Sequence, residues 1–142
     1  MIVVIADTSA LVSLEIKHVI KKASRFIRFV IPDAVHTELK DIAVFNDVHG
    51  VSARSVLKLI GDSKISIKLV EVKNEYLKNI DLGEAEVLSL ADVLDWDYII
   101  TDDVKALPYM TAFVIRLLYN TGTLSRRIFS SSCKWNSIYW FW

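Results

Sequence analysis

The sequence predicts an α/β fold, a three-layer α/β/α sandwich around a central, mostly parallel sheet. Three observations carry that expectation. Residues 2–6 are a continuous apolar run without polar alternation, which reads as a strand covered on both faces, as in parallel sheets, and 26–31 is a second strand-like run. Segments with helical spacing stand between the strand-like ones, and such alternation implies right-handed crossovers with helices on both faces. A chain of 142 residues with 53% apolar content can fill one core and not two.

Each element follows in order. The first run, Ile-Val-Val-Ile-Ala at 2–6, leads into Asp7-Thr8-Ser9, which has helix N-cap chemistry. Ala10, Leu11, Leu14, Ile16, Val19 and Ile20 continue a helical pattern. Pro32 ends the second run, and a helix over 33–42 starts behind it, with Val35, Leu39 and Ile42 on one face. A short helix over 51–60 closes at Gly61-Asp62. Residues 64–72 alternate, with Ile65, Ile67 and Leu69 against Lys64, Ser66 and Lys68, and read as a half-exposed edge strand. Asp81-Leu82-Gly83-Glu84 has the spacing of a capping box. It opens a largely buried helix expected to run to about Trp96. A strand over 97–101, next to the first strand in the sheet, ends in Thr101-Asp102-Asp103. A helix over 104–113, despite Pro108, and a last strand over 114–119 complete the pattern.

Composition removes several classes of function. With 24% charged residues, 4 Gly and 2 Pro, the chain is neither disordered nor of low complexity. The lone Cys133 excludes a disulfide framework and a Cys-rich zinc module. Charges interrupt every hydrophobic block before the roughly 18–20 residues a membrane helix needs. No basic region precedes the first apolar run, so no signal peptide is expected. The expectation is a soluble, cytoplasmic protein that does not engage the membrane.

The zero net charge hides an asymmetry. All 17 acidic residues lie at or before Asp103, against 12 basic ones over the same span. The remainder carries Lys105, Arg116, Arg126, Arg127 and Lys134 with no acid, together with Trp135, Trp140 and Trp142. Such a shift marks a boundary. Residues 1–124 are therefore read as the domain and 125–142 as an atypical basic, Trp-rich tail. Its Arg and aromatic side chains suit phosphate contacts and base stacking, or else packing on the domain. Deleting 131–142 is expected to leave the acidic site intact.

In a parallel sheet, function sits at the carboxyl ends of the strands, and the acids gather there. Asp7 ends the first strand, and Asp102 and Asp103 end the strand at 97–101. Glu38 lies in the helix behind the second strand, and Glu84 in the first turn of the helix leading to the Thr-Asp-Asp strand. Carboxylates sharing one pocket repel each other unless a cation neutralises them. An all-oxygen set suits Mg²⁺ or Mn²⁺ better than Zn²⁺, and such an ion supports hydrolysis of a phosphodiester by in-line attack of water. Each acid taken alone also has a plain structural reading: Asp7 as a helix cap, Glu84 as the partner of Asp81, Asp102-Asp103 as a turn. A charge directly after a buried strand is costly unless it is used, which sets Asp7 apart.

These residues carry a resemblance. Ala6-Asp7-Thr8-Ser9-Ala10-Leu11 after a hydrophobic strand resembles the opening of PIN domains. Val35-His36-Thr37-Glu38-Leu39 is similar to the family's second acidic motif. Gly83-Glu84-Ala85-Glu86-Val87-Leu88-Ser89-Leu90-Ala91 is similar to the third, and Tyr98-Ile99-Ile100-Thr101-Asp102-Asp103 to the fourth. The four stand in the family's order over residues 1–103, and the match weakens after about Leu107. The resemblance implies a Mg²⁺- or Mn²⁺-dependent endoribonuclease, in prokaryotes often the toxin of a toxin–antitoxin pair. It implies Asp7, Glu38, Glu84 and Asp103 as metal-binding, catalytic acids, with Asp102 as an extra or substitute ligand. Thr8, Ser9 or Thr101 could hold a carboxylate or a phosphate through a hydroxyl. The partners it implies are RNA, an antitoxin protein and a second copy of the chain. Val12, Ile16, Val19 and Ile20 offer an interface for that copy, or else belong to the core. A PIN-fold module that binds RNA or protein without catalysis is the alternative.

Other readings find less support. Ser9 stands where a haloacid-dehalogenase-type phosphatase needs its second Asp. There is no Gly-rich nucleotide loop. His18, His36 and His49 are not at metal-ligand spacings, and Cys133 has no paired His. Glu86 falls about 200° round the helix from Glu84 and is expected to face away from the site.

Overall fold

The computed structural model describes residues 1–78, 80–101 and 127–130, the last as backbone. Five strands form one sheet in the order β3-β2-β1-β4-β5: β1 (Ile2–Ala6), β2 (Ile27–Pro32), β3 (Ile65–Lys68), β4 (Tyr98–Thr101) and β5 (Arg127–Ser130). Every pairing is parallel. With its helices the sheet makes the expected α/β/α architecture: α1 (Thr8–Ile16), α2 (Ile20–Ala23), α3 (Asp33–Ile42), α4 (Val48–Gly61), α5 (Asn74–Leu77) and α6 (Leu82–Val93).

The central strand explains its own sequence. Val4, Ile5 and Ala6 are buried in succession, so both faces of β1 are covered and neither tolerates a polar side chain. β4 lies beside it, with Ile5 opposite Ile99 and Ala6 opposite Ile100, as the sequence predicts. The ladder runs one residue past the strand, where the Asp7 N–H donates to the Ile100 carbonyl at 3.2 Å. β3 is an edge, also as predicted, but it is four residues long and not nine.

Several boundaries differ for local physical reasons. The helix after Asp7 stops at Ile16 instead of continuing through Ile20. His18 adopts φ 53°, its N–H donates to Glu15 O and the Val19 N–H to Leu14 O, the paired bonds of a Schellman stop. Ser63, at φ 57°, closes α4 in the same way, with Ser63 N to Ile60 O and Lys64 N to Leu59 O. Both positions would suit glycine, which is why periodicity alone misses them. α4 begins at Val48, ahead of the expected start, because the Asp47 carboxylate accepts from the Gly50 N–H at 2.8 Å. α6 ends at Val93, short of Trp96. The Trp96 ring is buried and its Nε1 donates to the Ala91 carbonyl. Asp81 stands at the N-cap of α6 without a side-chain capping bond, so the Asp81 half of the predicted capping box is not formed. The one-turn α5 has no counterpart in the sequence reading.

The core takes in Val12 and Ile20, so these two are packing residues and offer no interface. Val19 is 40% exposed. Arg127–Ser130, read from the sequence as tail, is instead a strand paired with β4, Ile99 lying opposite Ile128. Asp102, Asp103, the expected helix at 104–113, the expected strand at 114–119 and residues 131–142 lie outside the described residues.

Candidate functional site

The site is built where β1 and β4 end. Asp7 follows the last residue of β1, is only 8% exposed, and serves as N-cap of α1. Its Oδ1 accepts from the Ala10 N–H at 2.7 Å and from the Ser9 hydroxyl at 3.2 Å. Thr101, fully buried at the end of β4, neighbours it through the Asp7–Ile100 ladder bond. The first turn of α1 thus fixes the Asp7 carboxylate where its sequence puts it.

Glu38 comes from α3 and is held by two other helices. The buried Thr8 hydroxyl, on α1, donates to Glu38 Oε2. On the far side lies α6, whose backbone at Gly83 approaches so closely that a β-carbon there would lie 2.4 Å from Glu38 Oε1. Glu84, half-buried in the first turn of α6, is the next residue along. Asp7, Thr8, Glu38, Gly83 and Glu84 therefore form a connected arc. The N-terminal ends of α1 and α6 meet this arc, and their partial positive charge offsets some of the repulsion among the carboxylates.

The donor set is all hard oxygen, the chemistry that suits Mg²⁺ or Mn²⁺. Among the described residues, however, no three His, Cys, Asp or Glu are drawn into a group able to hold a metal ion. Asp7 and Glu38 instead face protein donors. The two acids at the end of β4, Asp102 and Asp103, lie outside the described residues.

Glu86 turns to the start of α3 and has a structural task the sequence did not disclose. Its Oε2 accepts from the Ala34 N–H at 2.8 Å, in the first turn of α3, where the N-cap residue Pro32 has no side-chain acceptor. It thereby anchors the helix that carries Glu38. Gly83 was also without a role in the sequence reading. The signal available was a glycine in the first turn of a helix, where it costs stability unless something needs the space. The three histidines, His18, His36 and His49, lie within 4.0 Å of Glu15, Asp33 and Asp47 respectively.

The sequence model of one family, described as PIN domain, matches residues 3–124. The chain belongs to the PIN-domain family. The match runs well past the four acidic motifs and past Leu107, where the sequence reading had it weaken. PIN domains are generally nucleases and generally use divalent metals. Among solved structures, the chain is similar to a domain of a functionally unknown protein from Methanocaldococcus jannaschii DSM 2661. The TM-score is 0.55 at 16% identity, covering 98% of this chain and 97% of that one, a likeness of fold alone. No curated protein matches the chain. None of the helices among the described residues is long and apolar enough to cross a membrane.

Proposed function

We propose that this PIN domain is a Mg²⁺- or Mn²⁺-dependent endoribonuclease that hydrolyses RNA phosphodiester bonds. The observation that carries the reading is Glu38, held by Thr8 of α1, the residue after Asp7, against Gly83 of α6, the residue before Glu84. Asp7, Glu38 and Glu84, with Asp102 or Asp103, would hold the ion. When bound, the ion supplies the positive charge that lets the acids share one rim, and it lowers the pKa of its water. The chain's own groups do the positioning. Thr8 sets the direction of Glu38, and Ser9 steadies Asp7; Thr101 stays buried at the end of β4.

The test is cleavage of a panel of RNAs with Mn²⁺, with excess EDTA, and by an Asp7→Asn variant. Cleavage that survives EDTA or the substitution overturns the mechanism. A role as the toxin of a toxin–antitoxin pair, and a homodimeric state, belong to the same proposal. Growth arrest on expression, relieved by a co-expressed partner, and light scattering test them.

A second reading, a PIN-fold module that binds RNA or protein without catalysis, is favoured by one observation. Asp7 Oδ1 is already engaged by Ala10 N–H and Ser9, as in an ordinary helix cap. Calorimetric titration with Mn²⁺ separates the two, because a binding-only module has no need of an ion at this rim.

A further inference from the structure

From Ile16 to Pro32 the chain carries Lys17, Lys21, Lys22, Arg25 and Arg28, with His18, and no acid. Elsewhere in residues 1–103 acids predominate, so this is the one concentrated positive segment of the acid-bearing part of the chain. All five Lys and Arg side chains belong to exposed residues, and none of them makes an ion pair among the described residues. His18 alone approaches a carboxylate, Glu15 Oε1 at 3.9 Å. The fold keeps the segment compact. The Schellman stop at His18 turns the chain into α2, Ile20 is buried as its anchor, and Arg25 N donates to Lys22 O.

The segment ends on an aromatic. Phe26 is 73% exposed. With Met1, Ile2, Arg25 and Asp97 it lines a shallow depression of about 530 Å³. The acid there, Asp97, is already used, since its Oδ2 accepts from the Val3 N–H at 2.8 Å. Unpaired cations beside an open ring are the combination that holds a single-stranded nucleic acid, the cations on phosphates and the ring under a base.

We propose that residues 17–28 form a second nucleic-acid contact, a phosphate-binding exosite for single-stranded RNA at the amino-terminal rim of the sheet. It deepens the ribonuclease reading and rests on it for the choice of RNA as ligand. α1 descends from the acidic rim to this one and β2 climbs back, so the six residues of β2 set the separation. At about 3.3 Å per residue that is roughly 20 Å, or about six phosphates at roughly 3.4 Å each along a stacked strand. The exosite would hold a strand several nucleotides from the acids, where the acidic rim itself repels phosphate.

The test uses the full chain carrying Asp7→Asn, and a fluorescent 20-nucleotide single-stranded RNA titrated over a series of KCl concentrations. Lys21→Gln, Lys22→Gln and Arg25→Gln combined should weaken binding at least tenfold at low salt. They should also reduce the slope of log K against log[KCl] by about 2, at about 0.7 per lost phosphate contact on a single strand. A matched triple on other exposed sites, Lys58→Gln, Lys64→Gln and Lys78→Gln, should change neither by more than twofold. Equal losses from both triples, or no loss from the first, overturn the exosite. So does binding of phosphatidylserine vesicles, and not RNA, that depends on the first triple. Cleavage by the unsubstituted chain is read separately. Patch-dependent RNA binding without any cleavage removes the nuclease reading and leaves the exosite, while cleavage with patch-independent binding does the reverse.

Discussion

A β-carbon on Gly83 would lie 2.4 Å from Oε1 of Glu38. Two residues 45 positions apart in the sequence are thus a single packing unit, and the glycine holds a place for a carboxylate.

Gly83→Ala should therefore move Glu38 and leave the fold in place. The clashing atoms are the far end of a flexible side chain, and Ala is the better helix former by about 1 kcal/mol. The expected result is an unchanged or slightly raised Tm with cleavage reduced about 100-fold, the scale of a 1 Å misplacement in a reacting geometry. Wild-type activity in the variant would show that Glu38 has no part in the chemistry.

At Asp7, two substitutions separate the two uses of one carboxylate. Asn caps a helix about as well as Asp, so Asp7→Asn should hold stability within about 0.5 kcal/mol, whereas Asp7→Ala should lose about 1 kcal/mol with the Ala10 bond. Both should lower cleavage by more than about 100-fold, beyond the usual loss for an outer-shell partner of a metal. Urea unfolding beside a cleavage assay reads both quantities. Full activity in Asp7→Asn with reduced activity in Asp7→Ala would assign this residue to capping alone.

Glu86→Ala should destabilise the protein by about 1 kcal/mol, because it removes the side-chain acceptor of the Ala34 N–H at the start of α3. Glu86→Gln, which keeps an acceptor oxygen, should recover most of that loss. Equal Tm values for the wild type and both variants would mean the bond contributes nothing in solution.

Ser63→Gly should stabilise the chain by about 0.5–1 kcal/mol. Ser63 sits at φ 57° in the stop of α4, a conformation in which a β-carbon is strained and glycine is not. Chemical denaturation measures it. A decrease in stability would mean that the added freedom of the unfolded chain outweighs the relief of strain.

Much of this molecule was legible in its sequence. The two-sided burial of β1 follows from five apolar residues in a row, and the edge position of β3 from the alternation of Ile65 and Ile67 with Ser66 and Lys68. Strand–helix alternation determined the parallel sheet, and with it the rim on which Asp7 and Thr101 stand. These are local properties, set by side-chain period and by the need to cover both faces of a parallel strand. The tertiary structure decided which groups meet. Thr8 reaches Glu38, Gly83 makes room for it, Glu86 crosses to the start of α3, and Glu15 turns into the α1–α4 contact to accept from Ser55 at 2.6 Å. It also recruited Arg127–Ser130 to the sheet and left the cations of 17–28 facing solvent. None of these has a period or a local spacing to betray it, because each depends on the direction in which two separate elements present their side chains once packed.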